Sequence, residues 1–225
     1  MEEPDIEATL HDVHRIAENP SSSPESWDQR ASIARLAIAR LERTGFMQSR
    51  NPSQDRRAIV TSLQRLAYQD ADSGGITDVA EWCTSQWLAM LQRDAEDLAA
   101  LRGLGQAWVA RSQSVLARIH RLEGSSSSGS SGRPRNSSDR FSYSSVEDAQ
   151  EAERATAEAD VRAHTADYVE ARGMLIAAVD YFTRAIDVAV RYGRLSGELL
   201  SEVSMYSTRE RASGLTIICR RRKPV

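Results

Sequence analysis

Apolar residues recur at spacings of three and four along most of the chain, the period of an α-helix with one buried face. Ile6, Leu10, Val13 and Ile16 predict a first helix over residues 4–18. A second is expected to start at Ser23 as cap, with Pro24 in the first helical position, and to run to about Thr44. Its buried face would be Ile33, Leu36, Ala37 and Leu41. Asn51-Pro52 opens a third helix carrying Ile59, Leu63 and Leu66, which "DADSGG" breaks. A fourth begins near Thr77 and carries Val79, Trp82, Cys83, Trp87 and Leu91. After "DAED" comes a fifth with Leu98, Leu101, Leu104 and Trp108. Residues 95–122 are open to two readings, one long helix or two with a bend near Ser112. No stretch alternates at period two, so no sheet is expected.

Residues 124–145, "GSSSSGSSGRPRNSSDRFSYSS", have almost no apolar content and cannot bury enough surface to offset the entropy of ordering. They read as a disordered Ser/Gly-rich linker and as the main boundary of the chain. Ser145-x-x-Asp148 resembles a capping box opening a long helix, with Ala149, Ala152, Ala159, Ala163 and Ala166 along one side for close approach of a neighbour. "GMLIAAVDYFTRAIDVA", residues 173–189, is the next helix, with Leu175, Val179, Phe182 and Ile186 on its buried face. Gly193 stops it, and Leu195, Leu199, Val203 and Tyr206 mark the face of one more. Beyond Tyr206 the period is lost. The organisation read is a helical region at 1–123, the linker at 124–145, further helices at 146–206 and an irregular basic tail at 207–225.

Successive helices with short breaks call for a comparison with helical repeats. In "LRGLGQAW", Leu101, Leu104, Gly105 and Trp108 resemble the first-helix pattern of a tetratricopeptide repeat. In the stretch from Gly173, that glycine, Ala178, Phe182 and Ala185 resemble the second-helix pattern, in which glycine opens the helix and alanines sit where paired helices touch. No single unit carries both halves: Arg121 stands where an aromatic belongs, and only Ala166 and Val169 precede Gly173 in register. The resemblance implies antiparallel helix pairs stacked as a tetratricopeptide-like α-solenoid, interrupted by the Ser/Gly-rich loop. It also implies a groove lined by first helices, with Arg102, Gln106 and Val109 on the groove side of the best unit. Chaperone-binding members of the family hold a C-terminal carboxylate with lysine and asparagine. Arg102 and Gln106 take two of those places here, which speaks against that clamp.

Composition narrows the function. The chain of 225 residues is 40% hydrophobic and 27% charged, with a formal net charge of -3. That balance gives no support for binding nucleic acid or an anionic membrane. The one basic run, Arg220 to Lys223, reads as a solvated end. The acidic start "MEEPDIEATLHD" does not resemble a targeting peptide, and no apolar stretch is long enough for a bilayer span. Cys83 and Cys219 form neither a disulfide framework nor a zinc spacing, so a reducing compartment, cytoplasmic or nuclear, is expected.

The chemistry-bearing residues give no constellation. His11 and His14 lie three apart with Glu7 and Asp12 near, too few ligands for a metal. Cys83 sits beside Trp82 on an apolar face with nothing cationic close to activate it. Trp27, Trp82, Trp87 and Trp108 read as core rather than as an aromatic cage. Neither a catalytic site nor a cofactor site is expected. In the linker, Arg133-Pro-Arg135-Asn-Ser-Ser138 resembles a basophilic-kinase substrate, which nominates Ser138 for phosphorylation.

These observations favour a non-enzymatic protein–protein interaction module, a helical-repeat scaffold or adaptor. The rival is a structural helical subunit of a larger complex, and behind it a helical enzyme whose site is assembled from scattered residues. The apolar face from Leu195 to Tyr206 has nothing after it in sequence to cover it. Leu199 and Val203 are therefore expected to mediate self-association or partner binding.

Overall fold

The computed structural model describes residues 3–18, 26–48, 53–127, 145–197 and 199–201. Among these the chain is all-helical. The helices are α1 (Glu3–Glu18), α2 (Trp27–Arg43), α3 (Ser53–Ala67), α4 (Thr77–Arg93), α5 (Leu98–Ser127), α6 (Ser145–Ala163) and α7 (Ala166–Arg191), with a 3-10 turn at Ala71–Ser73. The face read for α1 is inside at Val13 and Ile16, and that of α3 at Ile59, Leu63 and Leu66.

Several boundaries differ from the reading. The cap of α2 is Ser26, not Ser23. Ser26 Oγ accepts from the Gln29 amide while Gln29 Oε1 accepts from the Ser26 amide, a reciprocal pair satisfying two amides at once. Ser23 and Pro24 lie outside the described residues. The buried face of α2 is Ala31, Ala34, Ala37 and Leu41, while Leu36 is 51% exposed. Leu36 sits one residue from Ala37, about 100° around the helix, and the alanine side is the one the neighbouring helices approach.

Residues 95–122 hold one helix from Leu98 onward rather than two. Ser112 is buried, and its hydroxyl donates to the Val109 carbonyl at 2.7 Å without breaking α5. α5 runs on to Ser127, past the expected start of the linker; residues 128–144, with Ser138 among them, lie outside the described residues. Gly173 does not open a helix. It lies inside the 26-residue α7, which contains both half-patterns read around it. The alanine stripe is split as well: Ala166 belongs to α7, and Ala149 and Ala166 are exposed rather than packed on a neighbour.

α1 packs on α2 and α3, α3 on α4, and α4 on α5. Their shared core includes Ile16, Leu41, Leu63, Val79, Trp87 and Leu104. A buried polar link crosses it. Trp87 Nε1 donates to Gln64 Oε1 at 2.7 Å, and Gln64 Nε2 donates to the Gly103 carbonyl at 3.0 Å. Every strong group of that link is satisfied, which makes it compatible with burial. A Cβ at Gly103 would stand 2.5 Å from the Trp87 ring, so a residue without a side chain is what lets α4 meet α5 there.

α7 lies antiparallel along α5 for most of its length. Leu101 packs with Ala185 and Ala189, Val109 with Ala178 and Phe182, and Val115 and Ile119 with Ala171. A Cβ at Gly105 would fall 2.8 Å from the Phe182 ring. At the end of α7 the amides of Tyr192 and Arg194 bond the carbonyls of Val188 and Ala189, and Gly193 takes φ 63. This left-handed cap turns the chain back toward α5. Residues 199–201 are helical again, and Leu199 is buried against α5 and α7.

Candidate functional site

The turn after α7 brings the chain to the first turn of α5, beside the start of α3. A cavity of about 430 Å³ opens there. Leu98, Val188, Ala189 and Leu199 supply its apolar lining, and Arg57, Arg102 and Arg194 its cations. A concave, mostly apolar space of this size with a few placed polar groups is the usual form of a binding site.

Three carboxylates also line it, and each is used within the protein. Asp97 is 5% exposed. Its Oδ2 accepts from Arg57 Nε at 3.0 Å and Nη2 at 2.7 Å. Its Oδ1 accepts from the Ala100 amide at 3.1 Å, which caps α5. Glu96 pairs with Arg191 and accepts from the Tyr192 hydroxyl. That hydrogen bond to a carboxylate holds the Tyr192 phenol above its ordinary pKa. Asp94 Oδ1 accepts from the Glu96 amide at 3.0 Å. Among the described residues no acceptor meets the Arg194 guanidinium.

The residues nominated from sequence divide. Arg102 is half-buried and lines the cavity. Leu199 forms part of its apolar wall and is 2% exposed. It is thus covered by its own chain rather than left bare, because the cap at Gly193 folds it onto Leu101, Ala185 and Val188. Leu195 remains 44% exposed, and Val203 lies outside the described residues. Gln106 is half-buried one turn beyond Arg102. Val109 does not line a groove: it is buried under Ala178 and Phe182, because α7 occupies the face that the repeat resemblance left open. Sequence reading missed Arg57, Glu96, Asp97, Tyr192 and Arg194. The only local signal was the acidic cluster "DAED" ahead of a helix.

Two other cavities are lined by charged or polar pairs. One of about 520 Å³ lies where α5, α6 and α7 meet, at Leu122, Glu123, Arg162 and Tyr168. Tyr168 donates to Glu123 at 2.7 Å, and both burial and that carboxylate raise its pKa. The other, about 280 Å³, separates α1 from α3. His14 meets Ser62 Oγ at 3.3 Å and Glu18 at 3.1 Å, so both its ring nitrogens have partners. Among the described residues no group of three or more metal-ligating side chains forms.

The Cys83 thiol is fully buried, and burial pushes its pKa far up, which opposes nucleophilic use. The tryptophans sit in separate environments. Trp87 is in the core, Trp82 donates to Glu42 at 2.9 Å, and Trp108 stacks under Arg111 at 5.3 Å. Arg111 Nε also donates to the Tyr68 hydroxyl at 3.2 Å, joining α5 to the end of α3. No helix among the described residues is long and apolar enough to cross a membrane. No family model matches the chain, and no curated protein or solved structure matches it either.

Proposed function

We propose that this chain is a non-enzymatic protein–protein interaction module that takes a segment of another protein into the cavity at the start of α5. The observation that carries the reading is the cavity itself, with its apolar wall and arginine rim. Two residues nominated independently, Arg102 and Leu199, meet there. The pairing of α1 with α2 and of α3 with α4, with α1 also on α3 and α2 on α4, supports a repeat-like stack of the tetratricopeptide kind. In that reading α5 and α7 form a longer final pair, and α6 is carried outside it.

Panning a random peptide display library on the whole chain tests this. Peptides should be enriched, and Ala99→Trp should remove the enrichment. Ala99 is a half-buried residue at the cavity, and an indole there would fill it. Enrichment that survives the substitution, or no enrichment at all, would contradict the reading.

A second reading, a structural subunit of a larger complex, draws on the outward face of α7. Val169, Ile176 and Val190 are 53%, 46% and 59% exposed there. An isolated chain that stays monodisperse in light scattering favours the first reading, and concentration-dependent association favours the second.

A further inference from the structure

We propose that the acidic cavity where α5, α6 and α7 meet is a docking site for the chain's own basic segment, Leu215 to Lys223. It lies at the far end of α5 and does not depend on the interaction reading above. The cavity, about 520 Å³, is lined by Glu123, Glu158 and Asp167 against one arginine, Arg162. Part of that charge is answered within the protein. Arg118 donates to Asp167 at 2.8 Å and to Glu170 at 2.9 Å, and Tyr168 donates to Glu123 at 2.7 Å. Arg162 leans toward Glu123, at 3.9 Å. Glu158 is exposed and meets no partner among the described residues. With Arg118 and Glu170 included, four carboxylates stand against two guanidinium groups, so the excess stays negative. The cavity at the start of α5 differs, since arginines and carboxylates line it in equal number.

The acidic cavity also has an open apolar side. Ile119 forms its floor, and Leu122 at its edge is 59% exposed. The proposed occupant carries the matching pattern: Leu215, Ile217 and Ile218, then Arg220, Arg221, Arg222 and Lys223. Its aliphatic residues would cover Leu122, and its cations would meet Glu158 and the remaining acceptor sites of Glu123 and Asp167. The Tyr168 ring offers a face on which a guanidinium stacks. The chain is long enough. Residues 202–225 lie outside the described residues, and they follow Leu199, which is buried against Leu101. From Leu101 to Leu122 the axis of α5 rises about 32 Å. The chain from Ser201 to Leu215 spans up to about 46 Å when extended, which brings Leu215 to Leu122 with length to spare.

The test is paramagnetic broadening in the isotope-labelled full chain, with a nitroxide attached to Cys219. The other cysteine, Cys83, is fully buried, which directs the label to Cys219. Amide signals of residues 119–123 and 158–168 should broaden. The broadening should be lost in about 1 M sodium chloride, where the screening length falls to about 3 Å. It should also be lost in Glu158→Lys and in the triple variant Arg220→Gln, Arg221→Gln, Arg222→Gln. Glu158 is exposed, so its replacement spares the fold. A mixture of nitroxide-bearing chains without isotope and isotope-labelled chains without nitroxide should show no broadening, since the docking is within one chain. Broadening in that mixture would assign the segment to a second copy and overturn the proposal. So would broadening that is absent, centred on the start of α5, or unchanged in Glu158→Lys.

Discussion

The α1–α4 region and the α5–α7 pair are both helical, and they pack by opposite means. The first fills its core with large side chains such as Ile16, Leu63 and Trp87, and threads a satisfied polar link through Gln64. The second brings two helices together over Gly105, Ala171, Ala178, Ala185 and Ala189, with Phe182 as the one large buried side chain that α7 sets against Leu101, Val109, Val115 and Ile119 of α5. The first leans more on large side chains, the second on the small residues that α7 presents to α5. They should therefore fail in opposite directions: the first when atoms are removed, the second when they are added.

The largest effect is expected from Leu63→Ala. Leu63 is 0% exposed at the centre of the α1–α4 core. A truncation there costs about 2–5 kcal/mol, read as a lowered denaturation midpoint with unchanged slope. A cost below about 1 kcal/mol would show a core that collapses easily, and the comparison would weaken. Next is Ala178→Trp, expected to cost about 1–3 kcal/mol or more by forcing α7 off α5. Ala178 is 1% exposed. Near-parental stability in the same melt would mean the pair tolerates added volume. Gln64→Leu should cost about 1–3 kcal/mol, since the Trp87 indole and the Gly103 carbonyl each lose a buried partner.

The smallest effect lies on the surface. Arg35 Nε meets Asp78 Oδ2 at 2.7 Å, with both side chains more than half exposed. The hydrogen bond from Arg35 is the chief cause that holds the Asp78 carboxyl below its ordinary pKa. The stability this adds is in place above the ordinary carboxylate pKa and is lost as pH falls through the lowered folded value. Arg35→Gln should lower stability slightly at neutral pH and by less in acid. An equal loss at both pH values would assign the effect to packing rather than charge.

The helices were legible because each signal is local. Ile59, Leu63 and Leu66 mark a face whatever the rest of the chain does. Partners were not, because they are set by tertiary placement. Arg57 and Asp97 lie 40 positions apart, and no period links them. Val109 was assigned to a groove by resemblance, whereas the antiparallel return of α7 places Phe182 over it. Gly105 was read only as part of the first-helix pattern, and the structure makes it a close-contact glycine, with Phe182 at its face. Gly173, read as the start of a helix, lies inside α7, since glycine in a helix interior costs only about 1 kcal/mol and long packing along α5 outweighs it. Two residues of the cavity lining were in view, Arg102 and Leu199. Arg194 was not, because its place depends on the left-handed cap at Gly193.

The most direct test of the account is to map a display-enriched peptide onto the isotope-labelled chain by amide chemical-shift changes. The account requires the changes to gather on residues 96–102 and 188–199, at the cavity shared by α5 and the turn after α7. Changes centred instead on Ile119, Leu122 and Tyr168, at the opposite end of the pair, or none at all, would contradict it.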